Sequence, residues 1–257
     1  MKNQFVTRIL FMLVIAMLSI SPSFAQETNS DELNENLQKI QPAYFQNDVK
    51  LFMEVHSFLE RLIEIEPAND LAKYYLAYVE YRLYASKQAT NNPFVEKFYE
   101  PAVKTCKELI DAGKMIDEIK TILAALYLMR LANNPMEAMA LSPQIHTLLG
   151  EAEAVNPSNP RIHIIRGIMV MNTPPMFGGS VEKGMESFNK AISLFESNKS
   201  EKSNLPNWGY EESQVWLGIG YQKMNNKEKA KEIFTKVLEL QPDFGWVKFR
   251  LLPSVAN

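Results

Sequence analysis

The sequence predicts an all-α protein, an array of about five antiparallel helix hairpins with a short C-terminal capping helix. Three observations carry this prediction. From residue 48 onward, apolar residues recur three and four positions apart, the spacing of a helix with one buried face. Pro, Gly and Asn signals interrupt that pattern again and again. No run alternates apolar and polar residues between hairpin turns, so no strand is expected.

The elements follow in order. Lys2 and Arg8 flank a short apolar run, "ILFMLVIAMLSI" (9–20), and "SPSFA" follows with Ser23 and Ala25 at the spacing of a cleavage site. That run is short for a bilayer span, so residues 1–25 read as a cleaved secretory signal. The expected location is beyond the inner membrane, periplasmic if the host is Gram-negative. Residues 26–47 begin polar and acidic and read as a flexible lead-in. Helices are then expected over 48–65, 70–87, 94–112, 115–132, 137–154, 159–171, 180–197, 209–224 and 227–240, with the cap near 244–251. The domain of interest is thus 48–257. No later apolar run reaches membrane-spanning length. Without Lys2 and Arg8 the chain holds 25 basic and 30 acidic residues, and no basic block, so a nucleic-acid partner is not expected. The single Cys106 cannot form an internal disulfide.

The helices end in similar strings: "EIEPAND" (64–70), "EAVNPSN" (153–159) and "LELQPDF" (238–244). Counting back twelve, eight and five positions from Pro67 gives Val55, Leu59 and Leu62. The same offsets give Ile145, Leu149 and Ala152 before Pro157, and Ala230, Phe234 and Val237 before Pro242. All nine are apolar and fall on one helical face. Each proline stops its helix, lacking an amide donor and restricting its predecessor. The prolines lie 90 and 85 residues apart, and each interval holds four helices, so one hairpin takes about 42–45 residues. Repetition on this scale marks stacked helical hairpins.

The last unit, "QVWLGIGYQKMNNKEKAKEIFTKVLELQP" (214–242), closely resembles a tetratricopeptide repeat. Leu217, Gly218, Tyr221, Ala230, Phe234 and Pro242 stand at the signature positions, while Gln214 departs from the usual aromatic. Gly167 in a first helix and Gly184, Phe188 and Ala191 in a second match more weakly. The resemblance implies close helix crossings at the small residues and a concave face built from the first helices, around 70–87, 115–132, 159–171 and 209–224. It also implies a non-catalytic scaffold offering that groove to a protein or peptide, exported if residues 1–25 act as the signal. A small-molecule-binding accessory to an envelope transport system is the alternative. Hairpins longer than the family's usual length favour a more closed array.

"NTPPMFGGSVEKG" (172–184) reads as an enlarged hairpin elbow, with Ser180 capping the next helix. An anion pocket at that helix N-terminus is the competing reading, but the phosphate-loop motif is absent. Met176 and Phe177 at its tip are candidate partner contacts. So are Trp208, Tyr210, Trp246 and Arg250, which belong to an aromatic-rich C-terminal third. Trp246 and Phe249 are expected to pack against the array, or to line a pocket where Arg250 or Lys248 holds a carboxylate. His56, His146 and His163 lie on different helices in no ligand spacing, and Met169, Met171, Met176 and Met185 read as core filler before copper ligands. No cofactor, metal or catalytic motif is assigned.

Overall fold

The structure, a computed structural model, describes residues 31–197 and 206–256. The expected signal peptide and nearly all of the polar loop at 197–204 lie outside these. The chain divides into two compact units, Met1–Gln38 and Lys39–Asn257. In the first, residues 31–38 are helical. The second holds the array, and the described residues contain no strand.

The array runs through α1 (Ile40–Gln46), α2 (Val49–Ile65), α3 (Asp70–Ala85), α4 (Lys87–Thr90), α5 (Tyr99–Asp111), α6 (Ile116–Asn133), α7 (Ala138–Val155), α8 (Pro160–Asn172), α9 (Val181–Ser197), α10 (Tyr210–Lys223), α11 (Lys227–Leu240) and α12 (Leu252–Ser254). A π-helical turn over Val247–Leu251 precedes α12. Asx side chains start four of the helices, α2, α3, α8 and α11, by accepting backbone N–H bonds, whereas α6 and α7 begin without a side-chain cap. Asp48 does so from Leu51, Asn69 from Ala72, Asn159 from Arg161 and Asn226 from Lys229. The Pro and Asn punctuation of the sequence is therefore cap chemistry.

Hairpins form from α3 and α5, α6 and α7, α8 and α9, and α10 and α11, with α1 and α2 as a shortened first pair. The first helices α3, α6, α8 and α10 pack side by side as an inner layer, and the second helices lie outside. Close crossings sit at glycines. A Cβ on Gly218 would lie 2.5 Å from the Phe234 ring, and one on Gly167 would lie 2.5 Å from Phe188. Phe188, Ala191, Ala230 and Phe234 are all fully buried in that seam.

Two features depart from expectation. The lead-in is helical at its C-terminal end: Ile40, Ala43 and Phe45 of α1 are buried, because their spacing gives α1 an apolar face the array can cover. Phe45 lies 4.9 Å and Tyr44 5.4 Å, centroid to centroid, from Phe244 after α11. The first and last elements of the unit thus touch, and the array is closed. In addition, α3 is buried almost all round, with Tyr74, Tyr75, Tyr78, Tyr81 and Tyr84 inside. It serves as a central post.

Truncation at the closure should be costly. Phe244→Ala is expected to lower the unfolding free energy by about 3–5 kcal/mol in urea titrations, whereas Phe249→Ala, at an exposed ring, should change it by under about 0.5 kcal/mol.

Candidate functional site

The concave face is where the sequence places a groove, and the structure fills it. Trp208, in the extended stretch before α10, is 4 % exposed. Its ring stacks on Tyr78 at 4.9 Å and 21°, and its indole N–H donates to the Tyr74 hydroxyl at 3.0 Å. The Arg82 and Arg161 guanidinium carbons lie 5.2 and 5.3 Å from the ring, so the indole sits between two buried cations.

Each cation is neutralised across the array. Arg82 on α3 forks onto Glu212 on α10, with Nη1–Oε1 3.2 Å and Nη2–Oε2 2.5 Å, while its Nε donates to Tyr78 at 2.9 Å. Its guanidinium also covers the Tyr44 ring at 4.2 Å. Both charged side chains are buried, and bidentate pairing is what makes their burial tolerable. Arg161 at the start of α8 donates to Glu118 on α6 at 3.0 Å, and Asn159 donates to the same oxygen. The Tyr74 hydroxyl donates to the other Glu118 oxygen at 3.2 Å. Burial pushes the Glu118 carboxyl upward, with Arg161 opposing. Burial likewise pushes Tyr75 and Tyr81 up to about 12.

This corrects the expectation of an open groove and of Trp208 as a partner contact. The inner faces of α3, α6, α8 and α10 carry complementary charges and large aromatics that pair with one another, although the buried Arg161 Nε has no hydrogen-bond partner. A crevice bordered by Gln41, Tyr44, Tyr78, Trp208 and Glu212 lies beside this clasp. Gln41 bridges it by donating to the Asn207 carbonyl at 2.7 Å. Tyr210 is also committed, its hydroxyl bonded to Glu196 at 3.0 Å and its ring edge-on to Phe195.

The C-terminal end is different. Trp216 on α10 is half-buried, stacked on Phe188 at 6.1 Å and edge-on to a half-buried Trp246 at 5.8 Å. Tyr221 and Leu217 are half-buried beside the same cluster. Arg250, four residues after Trp246 and so on its face of the turn, is exposed. Phe249, expected to pack inward, is 69 % exposed, while Val247 and Val255 bury in its place. The π-turn rotates Phe249 outward and leaves Trp216, Trp246 and Arg250 as an accessible aromatic and cationic surface.

Other candidates resolve locally. In the elbow, Pro175–Phe177 is a 3-10 turn and Gly178 takes φ +88°. A Cβ on Gly179 would lie 1.7 Å from the Thr173 carbonyl oxygen. Ser180 accepts from the Lys183 amide at 3.1 Å and donates to Glu182 at 2.9 Å. The Glu182 carboxylate, held below its ordinary range by its own backbone amide and then Ser180, already occupies this helix N-terminus. That arrangement opposes the anion-pocket reading. Met176 and Phe177 project into solvent. Burial, then Glu80, pushes the Cys106 thiol well up, so it is no reactive thiolate. His56 is buried between Glu60 and Glu80, each at 3.2 Å, whereas His146 is exposed, so their common register position is not a common environment.

Residues 212–244 match the tetratricopeptide repeat family. Among solved structures, the fold is similar to the HusA haemophore from Porphyromonas gingivalis, with TM-score 0.64 and 19 % identity over 76 % of this chain and 93 % of that one. It is also similar to a thermophilic tetratricopeptide protein of Thermus thermophilus, with TM-score 0.58 and 19 % identity over 86 % of this chain and 98 % of that one. No curated protein sequence matches significantly. The chain carries a tetratricopeptide repeat and folds as an array of the tetratricopeptide type.

The clasp makes a specific thermodynamic prediction. Glu212→Ala, which strands the buried Arg82, should cost about 3–5 kcal/mol. The double variant Arg82→Met/Glu212→Leu should cost clearly less than the sum of the single variants, as read from a double-mutant cycle in urea.

Proposed function

We propose that this chain is an exported, non-catalytic scaffold that binds a protein or peptide through the C-terminal surface of Trp216, Tyr221, Trp246 and Arg250. The observation that carries the reading is the Trp216–Trp246 pair left half-buried at 5.8 Å, with Arg250 exposed four positions after Trp246. Trp, Tyr and Arg are the side chains that dominate the energetics of protein interfaces. A peptide aromatic or aliphatic group would cover the indoles, and Arg250 would meet a carboxylate. The surface adjoins the unit that matches the tetratricopeptide repeat, and repeat arrays of this kind bind proteins through surfaces rather than by chemistry. Export rests on the sequence of residues 1–25.

A second reading is that the same aromatic surface holds a small planar ligand. It is favoured by the fold shared with a protein described as a haemophore, and a tryptophan pair suits a flat apolar molecule as well as a side chain.

The test is crosslinking and mass spectrometry of the chain isolated from its native envelope, with Trp246→Ala/Arg250→Ala beside it. A dominant protein partner whose crosslinks map near Trp246, and whose affinity falls about 10- to 100-fold in the variant, is expected. A partner that ignores the substitution contradicts the assignment of the surface. Titration with haemin, read as Soret absorbance, addresses the second reading. A saturable band lost in the variant would replace the protein partner with a ligand.

A further inference from the structure

The turns inside successive hairpins share a feature that the fold does not require. Asn91-Asn92-Pro93-Phe94, Asn133-Asn134-Pro135-Met136 and Asn172-Thr173-Pro174-Pro175-Met176 each lead from a first helix toward a second, once per repeat. In each, a proline opens a 3-10 turn: Pro93–Phe98, Pro135–Glu137 and Pro175–Phe177. The next residue points out. Met136 is 93 % and Met176 82 % exposed, and Phe94 is also exposed. Phe177 in the third of these turns, Met139 in the first turn of α7 and Met224 after α10 are exposed as well. These turns are held by hydrogen bonds. Asn92 accepts from the Phe94 amide at 3.0 Å, Asn134 donates to Glu137 at 2.6 Å, and the Phe177 amide donates to the Pro174 carbonyl at 2.9 Å. The turn backbone that carries each knob is therefore ordered, so the knobs project from defined positions.

They also lie along one edge. The inner helices α3, α6 and α8 pack side by side, so their C-terminal ends, and the turns that follow, form a row. Arg130 at the second turn reaches Glu96 at the first, 3.5 Å away. Charge follows the same division. Segments 46–50, 86–98, 130–139, 172–183 and 223–229, the turns inside hairpins, hold eight Lys or Arg and five Asp or Glu. Segments 64–70, 111–118, 151–161, 197–209 and 239–243, the turns between hairpins, hold four Lys or Arg and eleven Asp or Glu. One edge is net basic and studded with Phe and Met, and the other is acidic, in a chain whose net charge is negative.

We infer that the edge carrying Phe94, Met136 and Met176 docks on an anionic lipid surface. Separate apolar knobs on convex turns need no complementary groove, and a bilayer interface accepts them individually. The basic residues around them gain from anionic headgroups, while the acidic edge is repelled and fixes the orientation with the hairpin turns down. This surface is separate from the Trp216–Trp246 face, so it would hold the scaffold at a membrane with that face free.

The experiment is vesicle co-sedimentation of the chain without its first 25 residues, using phosphatidylglycerol-containing and pure phosphatidylcholine vesicles. Binding is expected only to the former, and it should weaken as salt rises toward roughly 0.5 M. Met136→Glu/Met176→Glu should cut the bound fraction at least about tenfold, with the circular dichroism melt unchanged because both side chains are solvated. Ile65→Glu/Leu240→Glu, at exposed positions on the acidic edge, should bind like the parent. Failure of the parent to bind anionic vesicles would overturn the inference, as would binding that survives Met136→Glu/Met176→Glu. Capture of a protein partner through these methionines without vesicle binding would overturn it too.

Discussion

Trp208 between Arg82 and Arg161 is the interaction on which the array's shape depends. A helical-hairpin array curves, and its inner face ordinarily stays open to water. Here the indole fills the bend, stacks on Tyr78 and bonds Tyr74. Its two flanking cations are tied to carboxylates on α10 and α6. Removing the indole would expose two charges to partial hydration and unpack Tyr74 and Tyr78 together, because these groups share partners. Such networks specify one arrangement more sharply than an apolar core, since a half-satisfied alternative strands a buried charge.

Closure moves the consequences of the fold outward. In an open array the inner helices supply the recognition surface. In this one they supply the core, and α3 shows the result directly, with its aromatic and charged residues buried on every side. What remains accessible is the outer face of the second helices, the C-terminal end and the two edges. The acidic edge begins the inner helices, where carboxylates suit the helix N-terminus. The basic, methionine-bearing edge ends them.

The helix register was legible from spacing and proline stops, because both are local rules that hold whatever the tertiary context. Gly218 with Phe234 and Gly167 with Phe188 follow the same logic, since a small residue facing a ring is a pairwise condition. Closure was foreshadowed only by the length of the hairpins, and the contacts that make it were not legible. Arg82 and Glu212 are 130 positions apart, and neither stands out from its neighbours as a partner. Trp208 sits in a polar stretch that reads as linker, and its burial depends on Tyr74 and Tyr78 arriving from another hairpin. A signal existed in α3, "YYLAYVEYRLY" (74–84), which has aromatics on every face and no solvent face. A helix apolar all round is a buried helix. The proline-apolar pair in three turns, Pro93-Phe94, Pro135-Met136 and Pro175-Met176, was equally present, but the repeat's signature positions lie inside helices and not in the turns.

The most direct test of the closed array is the accessibility of Trp208. The chain has three tryptophans, so Trp216→Phe/Trp246→Phe leaves Trp208 as the sole indole. Acrylamide quenching of its fluorescence reports whether water reaches it. A closed array predicts blue-shifted emission and quenching far below that of the unfolded chain. Emission and quenching like those of free tryptophan, with the variant still helical, would mean that the concave face is open and the clasp is not formed.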